Sequence, residues 1–133
     1  MRAEDLQIGD WITARKWREK SFQVTRINEA NKFFYGKTGD THVGPFLIEE
    51  LEPIPLTPEI LEKNTSESNK NVFGGMNYAL NADYFIENRG DRFCFSRRMA
   101  GHKYSTFWVC DIHYVHDLQH LIKLVGIDKE IQI

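Results

Sequence analysis

Turn residues interrupt the first 56 residues so often that no helix of useful length fits there. Over residues 21–28 polar and apolar side chains alternate, until the alternation breaks near Arg26. A period of two is typical of a half-buried antiparallel strand. The short strands predicted in this way span residues 10–14, 21–28, 32–37 and 43–48. Because closing a small sheet removes its exposed edges, residues 1–56 are expected to form a small SH3-like β-barrel, with an open meander as the alternative.

A short helix is expected directly after this segment. Thr57 can cap it, Pro58 suits its first position, and Glu59 is favoured at the positive end of the helix dipole. The polar run NTSESNKN, residues 64–71, has no periodicity and predicts a loop. The helix is therefore expected to end near residue 64.

Strand-like runs return beyond this loop and are followed by a stretch with helical periodicity. The runs span residues 72–80, 84–87, 92–96 and 105–111. Turn residues between them favour an antiparallel meander. Over residues 114–125 the apolar side chains fall within an arc of about 120° on a helical wheel, which predicts a helix with one buried face. Gly126 is placed to end that helix, and a final short strand is expected at residues 128–133.

These elements together predict an α+β fold. It consists of an N-terminal small SH3-like β-barrel, a short capped helix, and an antiparallel sheet packed by a C-terminal helix. The barrel covers residues 1–56, and the remaining elements cover residues 57–133. We expect both parts to share one folding unit.

Charge and hydropathy limit the classes of protein to which this chain can belong. It has 17 basic and 19 acidic residues and a formal net charge of -2, so its overall charge does not demand a polyanionic partner. It has no signal-peptide stretch and no apolar run of about 18 residues that would span a membrane. We therefore expect a cytoplasmic protein without a membrane partner, in which Cys94 and Cys110 are reduced thiols.

Three motifs resemble a known group of sequences: LQIGDWI near the start, LEPIPLTPEILEKN in the middle and YVHDLQHLIKLVGI near the end. In order and spacing the chain is similar to short uncharacterised proteins of prophages and other mobile elements in gut Bacteroidetes. The resemblance implies that the protein belongs to a mobile element. It implies no activity, cofactor or catalytic residue.

Three histidines on the predicted C-terminal helix form a weak candidate metal site. His113, His116 and His120 follow one another at spacings of three and four residues, which places their side chains on one side of a helix. That side lies opposite the apolar face, so we expect the three imidazoles to point into water without the enclosure of a working metal centre. The interpretation that we prefer is a solvated helix face without a metal.

Sequence signatures of catalysis are weak. No nucleophile elbow, paired-carboxylate signature or glycine-rich cofactor turn is present, so we expect no cofactor. A small hydrolase or a metal-dependent enzyme is accordingly the third of three functional hypotheses.

Basic and aromatic residues interleave over residues 89–108, in what is expected to be a hairpin. Arg97, Arg98 and Lys103 would lie at its tip, where cations can meet phosphates and exposed rings can stack on bases. The alternative is that most of these rings fill the core and the tip is an ordinary solvated turn. Nucleic-acid binding through this hairpin is therefore the second hypothesis.

A smaller basic cluster lies at the first turn of the predicted barrel. Arg15 and Arg18 flank Trp17, and an exposed tryptophan is often an anchor of a protein interface. The leading hypothesis is a non-catalytic binding or adaptor protein of a mobile element, with another protein as its partner. It would act through the barrel loops and the basic hairpin.

Overall fold

The structure, a computed structural model, describes residues 1–17, 20–28, 30, 32–65, 68–71, 74–98 and 106–133. Within these residues the chain is α+β, with two antiparallel five-stranded sheets, of which one curls strongly into a half-barrel, and two α-helices. The strands are β1 (Trp11–Ala14), β2 (Ser21–Asn28), β3 (Phe33–Thr38), β4 (Thr41–Phe46), β5 (Leu51–Pro53), β6 (Ser68–Lys70), β7 (Met76–Ala79), β8 (Tyr84–Asn88), β9 (Phe93–Arg98) and β10 (Thr106–Ile112). The helices are α1 (Pro58–Asn64) and α2 (Val115–Leu124).

The first sheet has the order β4-β3-β2-β1-β5, so the chain returns after β4 to pair β5 with β1. Its register shifts between Val24 and Arg26, which confirms the break predicted near Arg26. Such a β-bulge bends a strand and increases its twist. The buried side chains of this part form one apolar cluster: Leu6, Ile12, Ala14, Phe22, Val24, Phe34 and Leu51.

The second sheet is a meander with the order β10-β9-β8-β7-β6, as sequence periodicity predicted for this half. The prediction of a loop over residues 64–71 is wrong in part, because Ser68–Lys70 pairs with β7. Directly after this strand, the side-chain oxygen of Asn71 accepts from the backbone N–H of Gly75 at 3.2 Å. The strand was missed because Ser68–Lys70 is polar and exposed throughout, so no apolar alternation marks it.

Both predicted helices are confirmed, and their ends follow local chemistry. The Thr57 hydroxyl caps α1 by accepting from the N–H of Ile60 at 3.3 Å. Gly126 adopts a positive φ of 79°, and the N–H of Ile127 donates to the carbonyl of Ile122. This is a Schellman ending, which stops α2 where the sequence predicted.

The strand predicted at residues 128–133 does not form. Ile131 is buried, but the backbone of Gln132 bonds to a side chain and not to a strand. The Asn64 side chain donates to the carbonyl of Gln132 at 2.6 Å and accepts from its N–H at 2.7 Å. The Asn64 side chain thus bonds to the backbone N–H and C=O of Gln132, which in a strand would bond to a neighbouring strand.

The chain divides into two compact units. The first contains residues Met1–Pro55 and Tyr114–His116, and the second contains Leu56–His113 and Asp117–Ile133. Neither helix of the described part of the chain has the length and apolar character needed to cross a bilayer.

Candidate binding surface

Exposed aromatic and basic side chains lie on both faces of the last two strands of the second sheet, with Phe107 and Arg97 on one face and Trp108 and Arg98 on the other. Phe107 is 61% exposed and Trp108 is 53% exposed, although rings of this size are usually buried. Both lie on β10, which ends the strand order and so forms an edge among the described residues. Arg97 and Arg98, both exposed, end the neighbouring strand β9. We call these four residues the hairpin surface.

One row of this surface crosses three strands. Arg97 pairs with Phe107 on one side and with Tyr84 on the other, so the three side chains share a face of the sheet. The guanidinium carbon of Arg97 lies 5.9 Å from the centroid of the Tyr84 ring, which is within cation–π range. Tyr84 in turn stacks on the buried Phe95 ring, with centroids 5.4 Å apart. The Arg97 guanidinium therefore contacts a ring that itself packs on the core.

The indole of Trp108 is held by a carboxylate. Its Nε1–H donates to Oδ1 of Asp111 at 3.1 Å. The same oxygen accepts from the thiol of Cys94 at 3.3 Å, and Arg92 lies 3.7 Å from the other carboxylate oxygen. The Trp108 hydrogen bond, followed by that of Cys94, lowers the pKa of Asp111. The carboxylate is therefore ionised at neutral pH, when it is the better acceptor for the indole.

A β-bulge makes this contact possible. Residues three apart on a regular strand point to opposite faces, so Trp108 and Asp111 should not meet. The register shifts between Trp108 and Cys110, so that Trp108 pairs with Ser96 and Asp111 pairs with Cys94. The bulge thus returns both side chains to one face. Sequence reasoning missed Asp111 because strict alternation hides a bulge, and an acidic residue three positions after an exposed tryptophan was the one available signal.

The two arginines of the hairpin surface differ from their basic neighbours. Arg89 pairs with Glu87 at 3.2 Å, and Arg92 pairs with Asp111. Within the part of the chain that the structure describes, neither Arg97 nor Arg98 has a carboxylate within ion-pair distance. Arg98 lies over the Phe85 ring at 5.6 Å. Their charge is therefore available to a partner. Lys103, predicted at the same tip, lies outside the described residues.

The second predicted cluster lies in the first unit. Arg15–Trp17 forms a 3-10 turn after β1, in which Trp17 is 44% exposed. Arg15 lies 3.6 Å from a carboxylate oxygen of Glu52, so its charge is partly neutralised. The Trp17 ring packs edge-on against Phe46 at 5.6 Å. Arg18 lies outside the described residues. We call Arg15, Lys16 and Trp17 the Trp17 cluster.

The prediction that the three histidines share one solvated face does not hold for all three. His113 is exposed and His120 is half-buried, but His116 is only 4% exposed, so the prediction is wrong for His116. Tyr114 precedes the first helical residue and therefore does not follow the helical period of the apolar face. Its ring stacks instead on His116, with centroids 5.7 Å apart and planes 3° from parallel. No group of three or more possible metal ligands lies together within the described ranges.

The two cysteines are free thiols. Burial raises the pKa of Cys94, and the hydrogen bond to Asp111 raises it further. Burial likewise raises the pKa of Cys110. The thiolate, which is the nucleophilic form, is thus disfavoured at both positions at neutral pH.

No family model, no curated protein and no solved structure matches this chain. Any assignment of function therefore rests on the chemistry of its surfaces.

Proposed function

We propose that this chain is a non-catalytic binding protein, an adaptor of a mobile element, whose contact site is the hairpin surface. The exposure of Phe107 and Trp108 on an edge strand is the observation that carries the proposal. Trp and Arg are enriched among the residues that contribute most to binding energy, and here Trp108 lies on the strand that pairs with the strand of Arg97 and Arg98. Fixing the Trp108 indole to Asp111 before a partner arrives reduces the entropy that binding must cost.

Two finer features of the fold belong to the same proposal. We propose that the first unit is an SH3-like barrel and that α2 packs on the second sheet. The pairing of β5 with β1 supports the first feature, since it brings the first and last strands together as closure of a small barrel requires. The burial of Leu118 and Ile122 on one face of α2 supports the second. The mobile-element setting rests on the three motifs described above, and the neighbouring genes test it.

The proposal can be tested without knowing the partner. Purified protein carrying the photocrosslinker p-benzoylphenylalanine in place of Phe107 is irradiated in an extract of cells that carry the gene. The matched control carries the same group in place of Leu124, which is 81% exposed at the end of α2. We expect adducts of defined size from position 107 and few from position 124. Nuclease identifies the class of partner, because it shortens an adduct with a nucleic acid and leaves an adduct with a protein unchanged.

The control separates a binding surface from a merely exposed ring. Adducts that form equally from both positions, or none from position 107, would contradict the proposal. Thermal unfolding of each labelled protein shows that it is folded before irradiation.

A further inference from the structure

We propose that the partner of the hairpin surface is a single-stranded nucleic acid. This inference rests on the proposed function and names the class of ligand for the same surface. From the sequence alone a protein partner is preferred, because most aromatic residues of the hairpin are expected to fill the core. Phe107 is instead exposed beside Arg97 on one face of the sheet edge, and Trp108 is exposed on the face of Arg98, so each face combines a ring with a cation, which is the combination that binds bases and phosphates together.

The row of Phe107, Arg97 and Tyr84 places a ring, a cation and a second ring next to one another across three strands. Side chains opposite each other on paired strands have Cβ atoms about 5 Å apart, which places a ring and a guanidinium within reach of one nucleotide. A base can stack on the exposed phenyl group of Phe107, while Arg97 meets the adjoining phosphate. Because Tyr84 supports the guanidinium through a cation–π contact, Arg97 is partly ordered before binding.

Trp108 offers a partner the exposed part of its ring. The single donor of the indole is already bonded to Asp111, so the residue has no hydrogen bond left to give. What it can contribute is stacking, which every base accepts because every base has a π-face. The site should therefore tolerate many sequences.

The charge of the surface favours an anionic strand. Arg97 and Arg98 lack an ion pair within the described residues, and the nearby carboxylate of Asp111 is occupied by Trp108, Cys94 and Arg92. A single strand is favoured over a duplex, because bases in a duplex are already stacked on each other and cannot reach protein rings. The small number of cations predicts weak binding with a modest salt slope.

Fluorescence anisotropy of the full chain with labelled oligonucleotides tests this inference. The probes are single-stranded DNA and RNA of about 12 nucleotides and the corresponding DNA duplex. Two or three phosphate contacts on a single strand give a log-log salt slope of about -1.4 to -2, or about a seven-fold to sixteen-fold loss of affinity over a four-fold rise in salt. We expect the single strands to bind more tightly than the duplex.

Variants separate stacking from charge. Phe107→Ala and Trp108→Ala should each lower affinity about five-fold or more while leaving the salt slope unchanged. The double variant Arg97→Ala with Arg98→Ala should flatten the slope by about 1.4. The matched control is Lys70→Ala with Lys123→Ala, which removes the same charge from exposed positions outside both predicted clusters and should leave both affinity and slope as they are. Trp108→Phe keeps an aromatic ring and should recover most of the affinity lost in Trp108→Ala.

Three results would overturn the inference: no binding of either single strand at the lowest salt, equal losses in the control variant, or tighter binding of the duplex. These results leave the proposed function standing if position 107 gives adducts whose size nuclease does not change. An absence of adducts removes the proposed function itself, so the two failures are distinguishable.

Discussion

Trp17 and Trp108 are about equally exposed, yet the protein holds them in different ways. The Trp17 ring packs on Phe46, which stacks on the buried Phe22 ring with centroids 5.3 Å apart. A chain of rings therefore connects Trp17 to the core of the first unit. Trp108 is held through its polar edge, by a hydrogen bond to Asp111 on the same strand.

The difference shows that exposure alone does not assign a role to a surface aromatic residue. Trp17 is the outer end of a packed stack, so its removal should disturb the packing beneath it. Trp108 is oriented by one hydrogen bond at the edge of a sheet, so its removal should leave the packing intact. The first arrangement contributes to stability, and the second leaves about half of the residue exposed to a partner.

The sharpest test of this comparison is to remove the same side chain from both regions. Phe22→Ala should lower the free energy of unfolding by about 3–5 kcal/mol, because it leaves a cavity beneath Phe46. Phe107→Ala should change it by less than about 0.5 kcal/mol, because that ring is already in water. Urea unfolding measures both values. Comparable losses would mean that Phe107 is part of the core and not of a binding surface.

Helix α2 allows the same test within one element. Leu118 is buried, whereas Leu124 is exposed, although both are leucines on the same helix. Leu118→Ala should cost about 2–5 kcal/mol and Leu124→Ala less than about 0.5 kcal/mol. Differential scanning calorimetry of the two variants checks the assignment of the faces. A larger shift for Leu124→Ala would reverse it.

The comparison also shows how much of the fold could be predicted from the sequence. Periodicity predicted both helices, the meander and the break at Arg26, because each depends on contacts between residues close in the chain. It did not predict the two hydrogen bonds between Asn64 and Gln132, which are 68 residues apart. A contact over that distance leaves no periodic trace in the sequence.

For the candidate site, the exposure of several predicted residues could be anticipated from the sequence, and their arrangement and the part played by Asp111 could not. Arg97, Arg98 and Trp17 are exposed, as expected of contact residues. Which rings of the hairpin would stay outside the core depended on β10 being an edge strand, and alternation within one strand does not reveal its neighbours. His116 was misplaced for a related reason, since the ring that covers it belongs to a residue just outside the helix.

A smaller effect compares the two tryptophans directly. Trp17→Ala should lower the free energy of unfolding by about 1–2 kcal/mol, from the loss of an aromatic pair and of half-buried ring area. Trp108→Ala should cost less than Trp17→Ala while weakening nucleic-acid binding more. Chemical unfolding and anisotropy on the same two variants give both values. If one of the two variants lost more stability and also more affinity, the assignment of Trp17 to packing and of Trp108 to binding would be wrong.

The smallest effect concerns the carboxylate that orients Trp108. Its hydrogen bonds lower the pKa of Asp111 in the folded state, so the ionised carboxylate favours folding above the ordinary aspartate pKa. That contribution is lost as the pH falls through the ordinary value toward the lowered one. We expect the indole Nε1–H resonance of Trp108 to shift over this acidic window in the unchanged protein and not in Asp111→Asn, which cannot ionise. The Asp5 pKa is also lowered, by its contact with Arg2, but Asp5 is present in both proteins and cancels in the comparison. The difference in stability between the two proteins should likewise shrink as the pH falls. An indole resonance that titrates identically in Asp111→Asn would show that another group orients Trp108, and the hairpin surface would then lose the preorganisation that distinguishes it from the Trp17 cluster.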